Sequence, residues 1–163
     1  MAEHLRADTA SRIIDAPPEA IYRAFVERDA LLAWLPPDGM SGEMLEFEPR
    51  PGGAFRMLLH YNVAGHGKTT EDTDVVDAEF AELVPGHRVV QLVRFKSDDP
   101  AFAGVMRMVW DLEPAAGGTR VIFLAEDVPP GISKEDHDTG LRSSLENLAR
   151  YVTGAPGLSQ VTT

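Results

Sequence analysis

Cysteine is absent from this chain of 163 residues. That removes thiol nucleophiles, cysteine-based metal sites and any disulfide framework. Positive charge is scarce as well: 15 Lys and Arg stand against 26 Asp and Glu, a net charge of −11 with the five His neutral. A surface of that sign repels phosphate backbones, which argues against nucleic acid as a partner and against polybasic docking on anionic membranes. Long apolar runs are also missing. Nowhere do about 18 uncharged apolar residues follow one another, as a bilayer-spanning helix requires. The opening Met1-Ala2-Glu3-His4-Leu5-Arg6-Ala7-Asp8 is charged where a secretory signal needs an apolar core. No membrane insertion is expected, and a cytoplasmic protein is the expectation.

What remains is an ordinary globular composition, 44% hydrophobic and 25% charged. A single domain of this length buries roughly two thirds of its extended surface, enough to fold without a staple.

Periodicity orders the chain. Residues 9–15 carry β-branched side chains and read as a strand ending at Ala16-Pro17-Pro18. Proline in the first turn, Glu19 at the positive end, and Ile21, Tyr22, Phe25 and Val26 at helical spacing predict a helix over 17–27. Asp29 reads as the N-cap of a second short helix through Leu31, Leu32, Trp34 and Leu35, stopped by Pro36-Pro37. A strand-rich stretch follows. Strands are expected at 44–48, 54–61, 74–84, 87–96, 104–113 and 119–126, broken by turn signals such as Gly52-Gly53, the Gly-rich 63–68, Pro85-Gly86 and 97–100. Ser133, followed by Asp136, opens a helix over 133–152 with one apolar stripe, Leu141, Leu145, Leu148 and Val152, closed by Gly154. The predicted architecture is α+β: an antiparallel sheet curved around the long C-terminal helix, with two short helices after the first strand. Residues 1–8 are expected to be an extension, 9–152 the domain, and 153–163 a flexible tail.

Strand parity selects an inward-facing set. It comprises Phe55, Met57, Leu59 and Tyr61; Val89, Gln91, Val93 and Phe95; Met106, Met108, Trp110 and Leu112; Val121 and Phe123. Leu141, Ser144, Leu145 and Leu148 complete it from the helix. A cavity with these walls would take a small apolar or amphipathic molecule, and the flexible Met57, Met106 and Met108 suit an adaptable wall. The alternative is that the same side chains fill a solid core. Gln91 stands out, because a buried amide needs partners that a ligand or water can supply; a neighbouring side chain would serve equally.

Other motifs fail. Gly67-Lys68-Thr69 imitates the end of a phosphate-binding loop, but Asn62 stands where the first glycine is required. Asp72, Asp74 and Asp77 lack the spacing of a calcium loop. His4, His60, His66, His87 and His137 form no ligand pair on one element, and Ser143 and Ser144 sit mid-helix, away from any nucleophile elbow. They read as surface or capping chemistry. No inward acid–base couple is apparent, and Arg94 and Glu126 are expected to face outward. Catalysis, metal and cofactor are therefore not expected.

The element order, with Ala16-Pro17-Pro18-Glu19-Ala20-Ile21-Tyr22, Ala30-Leu31-Leu32-Ala33-Trp34, the stretch 93–100 and Glu126-Asp127-Val128-Pro129-Pro130-Gly131-Ile132, resembles the START/SRPBCC superfamily. This is the birch-pollen-allergen-like helix-grip fold, and the chain is most similar to the branch named for activators of the heat shock protein 90 ATPase. The resemblance spans about residues 9–152. It implies a helix-grip fold and three possible roles: a carrier of a small hydrophobic ligand, an accessory protein acting on a chaperone or another protein, or a cyclase- or hydrolase-type enzyme. The eukaryotic activator resembles this chain in its C-terminal domain and adds a separate N-terminal domain that clamps the chaperone. A chain of this length is expected to hold only the former.

Overall fold

The computed structural model describes residues 7–36, 40–61, 73–95, 100, 104–129 and 131–154. Strand β1 (Ala7–Ile14) leads through Ala16 into helices α1 (Pro18–Val26) and α2 (Arg28–Trp34). Strands β2 (Met40–Phe47), β3 (Ala54–Tyr61), β4 (Thr73–Val84), β5 (Arg88–Phe95), β6 (Met106–Ala115) and β7 (Gly118–Glu126) follow, and helix α3 (Lys134–Thr153) ends the described chain. The sheet order is β1-β7-β6-β5-β4-β3-β2, with every neighbouring pair antiparallel. β2 to β7 thus form a meander, and β1 returns to pair with the last strand. This is the helix-grip arrangement.

Local chemistry explains most boundaries. Pro18 starts α1 without needing a backbone donor, and Ile21, Ala24 and Phe25 turn one face inward. α2 begins two residues earlier than expected, after Glu27 and with no side-chain cap, so Asp29 lies inside its first turn and is not the N-cap. The helix is held instead by the buried Trp34, whose Nε1 donates to the Ala24 carbonyl at 2.9 Å. At α3 the expected cap is present: Ser133 Oγ accepts from the Asp136 amide at 3.1 Å, and Gly154 closes the helix in the left-handed conformation (φ 68°).

β1 starts at Ala7, earlier than expected, which draws Asp8 into the sheet, and β2 starts at Met40 rather than at residue 44. The proposed Gly-rich turn at 63–68, most of the one at 97–100, and the tail beyond Gly154 lie outside the described residues. Two irregularities, between Met44 and Glu46 and between Phe80 and Glu82, shift the register and bend the sheet. Where β7 begins, Gly118 (φ 136°) lies so close to the end of β1 that a Cβ would sit 2.0 Å from the Ile14 carbonyl oxygen. Only glycine fits there.

α3 packs on β1 and β7, and α1 and α2 pack on α3; α1 also reaches β5 and β6, and α2 reaches β2. The other face of the sheet carries cross-strand ion pairs: Arg56–Asp77 at 2.6 Å, Arg88–Asp111 at 2.7 Å and Arg107–Glu126 at 2.8 Å.

Candidate functional site

Inward parity is realised wherever side chains are described. Phe55, Met57, Leu59, Val89, Gln91, Val93, Met106, Trp110, Leu112, Val121, Phe123, Leu141, Ser144, Leu145 and Leu148 are all buried. The side chains of Tyr61 and Phe95 lie outside the described residues. Met108 differs from its neighbours. It shares their face but is only partly buried, so solvent reaches the concave face at that point.

Trp110 is enclosed by other aromatics. Phe123, directly across on β7, stacks on it with centroids 3.5 Å apart and planes 15° from parallel. Phe25 and Trp34 meet it edge-on at 5.0 and 5.4 Å. The space under α1 and α2 is therefore filled by rings, so Trp110 belongs to the packed part of the interior. Phe25 and Trp34, which strand parity could not include, complete that packing.

Gln91 is 1% exposed, and its Oε1 accepts from Trp110 Nε1 at 3.0 Å. The indole nitrogen only donates, which fixes which end of the amide faces it. The Nε2 donor is then buried with no hydrogen-bond partner. Leaving such a donor unpaired costs about 1–3 kcal/mol.

Register places Gln91 in a straight row across the concave face. Phe80, Gln91, Met108, Ala125 and Asp8 are successive cross-strand partners on β4, β5, β6, β7 and β1. The row thus runs from an unpaired amide over a solvent-reached Met and a small Ala to a buried carboxylate. Asp8 is 1% exposed, and α3 supplies its counter-groups. Lys134 Nζ lies 3.2 Å from Oδ1, and His137 Nδ1 lies 2.7 Å from Oδ2. Lys134 titrates above its ordinary range, chiefly through its hydrogen bond to Asp8 and secondarily through one to Asp138.

This cluster corrects two expectations. His137 is neither surface nor capping chemistry, and an inward carboxylate–imidazole pair does exist. Reading residues 1–8 as an extension leaves Asp8 outside the domain and hides the pair. The signal available in the sequence was parity: Asp8 stands two residues from Ala10 and six from Ile14, and His137 stands four before Leu141 on the apolar stripe.

Among the acidic trio, Asp77 points outward to Arg56, while Asp72, the side chain of Asp74 and the segment Gly67-Lys68-Thr69 lie outside the described residues. Arg94 is exposed, and Glu126 pairs with Arg107. Among the described residues, no group of three or more His, Asp or Glu could hold a metal, and no helix is long and apolar enough to cross a membrane.

Comparison with known proteins agrees with this architecture. The family model for activator of Hsp90 ATPase homolog 1-like protein matches residues 15–153. A crystal structure of a protein from Chromobacterium violaceum is 34% identical, with 90% of this chain and 96% of that one covered and a TM-score of 0.78. A solution structure from Staphylococcus epidermidis, 16% identical, covers 96% of this chain and 94% of its own at a TM-score of 0.73. One from Arthrobacter aurescens, 13% identical, covers 94% and 93% at 0.76; the latter two likenesses concern the fold alone. No curated protein matches the chain.

Proposed function

The chain belongs to the activator of Hsp90 ATPase homolog 1-like family, and on that premise we propose that it binds a small amphipathic molecule on the concave face of the sheet without transforming it. The observation that carries this reading is the unpaired Gln91 Nε2, one strand away from the solvent-reached Met108. An acceptor atom on a ligand would recover the hydrogen bond that the protein leaves unmade, which makes the site selective for molecules with a carbonyl, ether or hydroxyl oxygen. Met108, Met106, Val93 and Leu145 would line the apolar part. With a net charge of −11, the field of the protein disfavours anions, and an apolar wall penalises a desolvated cation, so the proposed occupant is neutral.

Action on a chaperone, the role in the family's name, finds less support in this chain. Among the described residues the exposed large apolar side chains are Ile13, Leu45, Val84, Val105 and Tyr151, each on a different segment. A docking surface would call for a contiguous patch.

The test is native mass spectrometry on freshly expressed protein, followed by calorimetry with neutral long-chain ketones. A small molecule retained at one per chain, and ketone affinity weakened about tenfold in Gln91→Leu, are the expected results. Unliganded protein that binds no ketone, together with capture of a chaperone, would overturn the reading in favour of the accessory role.

A further inference from the structure

The row Gln91–Met108–Ala125–Asp8 has polar chemistry at both ends and an apolar middle, in which Met108 is partly exposed and Ala125 is buried. We propose that the concave site is two-ended: Gln91 Nε2 donates to an acceptor at one pole of the ligand, and His137 Nε2 accepts from a hydroxyl at the other.

The inference rests on the ligand reading above and specifies the ligand further. Asp8 carries no proton to donate when ionised, so His137 Nδ1 donates across the 2.7 Å contact. A neutral ring held this way keeps its lone pair on Nε2, which has no hydrogen-bond partner among the described residues. His137 is set on α3 four residues before Leu141, on the stripe that faces the sheet, and its side chain is 11% exposed, so it is not sealed in the core. Lys134 Nζ sits on the other carboxylate oxygen, Asp8 Oδ1, at 3.2 Å. Asp8 is the positioning residue, and His137 makes the contact.

The spacing sets the ligand's size. Gln91 and Asp8 are three strands apart, about 14 Å between backbones at the usual strand separation. Allowing for the two side chains, the polar groups of a bound molecule lie on the order of 10 Å apart. Ala125 and Met108 between them offer no hydrogen bond, so the connecting span is apolar. The ligand class is a neutral chain or fused-ring molecule of about ten carbons' length, with an acceptor at one end and a donor at the other.

Decan-2-one and 10-hydroxydecan-2-one separate the two poles. Both present the carbonyl to Gln91, and only the second offers a terminal donor. In the full chain, calorimetry should show the hydroxyketone binding about tenfold more tightly, the gain of one paired hydrogen bond. Gln91→Leu should weaken both ketones alike, and His137→Phe should abolish the hydroxyl's advantage over decan-2-one. A second readout needs no variant: the His137 Nε2 nitrogen resonance should move with the hydroxyketone and stay still with decan-2-one. If decan-2-one binds through Gln91 but the hydroxyl brings no gain and no Nε2 shift, the two-ended site is overturned and the ligand reading stands. If neither ketone binds the native protein, both fall.

Discussion

Single side chains decide the chemistry of the interior, and Gln91 decides most of it. Its bond to Trp110 couples the two residues, so a double-mutant cycle with Gln91→Leu and Trp110→Phe should give an interaction of about 1 kcal/mol by urea unfolding. A coupling indistinguishable from zero would mean that the 3.0 Å contact contributes nothing to stability. The Asp8 cluster makes an alkaline prediction. Lys134 is raised above its ordinary 10.5, first by its bond to Asp8, and Tyr22 is raised above 10.0 by burial. Groups raised on folding contribute stability that is full below their unfolded values and lost as pH climbs through the folded ones. Unfolding midpoints should therefore hold steady up to about pH 10 and fall beyond it, and Lys134→Met should make that fall shallower. An identical alkaline profile in the variant would show that the Asp8 contact is not thermodynamically coupled. Gln91 was legible in the sequence because parity along one strand marks it. Asp8 and His137 lie 129 residues apart, and periodicity within an element cannot show a contact between elements.

At the scale of elements, α3 is the piece the sheet must hold. Leu145 is 2% exposed on its stripe, so Leu145→Asp should cost at least about 3 kcal/mol by burying a charge. Ser133→Ala, which removes only the cap, should cost about 1 kcal/mol. A soluble Leu145→Asp protein with an unchanged melting temperature would contradict the packing. Gly118→Ala should cost about 2 kcal/mol or more, because it combines a disfavoured backbone angle with a collision against Ile14, separating β7 from β1. Normal stability there would mean that β1 is not seated as described. Alternation fixed β3 to the residue, expected at 54–61 and observed as Ala54–Tyr61, but it left the ends of β6 two residues off, expected at 104–113 and observed as Met106–Ala115. α2 was less legible. Its first residue, Arg28, bonds across to the Met44 carbonyl of β2 and its last, Trp34, to the Ala24 carbonyl, and Asp29 merely looks like a cap when the sequence is read alone.

Across the whole molecule, two halves of the interior do different work. Under α1 and α2, Phe25, Trp34, Trp110 and Phe123 form a continuous ring cluster. Such contacts add about 0.5–1.5 kcal/mol per pair beyond burial and make that half rigid. Along the row from Gln91 to Asp8, which only α3 covers at its β7 and β1 end, an unmade hydrogen bond and a partly exposed Met108 remain. A protein that only needed a core would fill this half as it fills the other. The contrast could not be read from parity, which assigns the same inward direction to Trp110 and Met108 and is blind to the helices above them. The central claim is that an acceptor atom occupies the space before Gln91 Nε2. The side-chain amide resonance of Gln91, followed by NMR during titration with decan-2-one, tests it most directly. The account predicts a saturable downfield shift of the Gln91 Nε2 protons while the Trp110 indole proton, already bonded to Oε1, stays in place. An amide signal unmoved at saturating ketone, or already shifted downfield in the ligand-free protein by a protein acceptor, would contradict it.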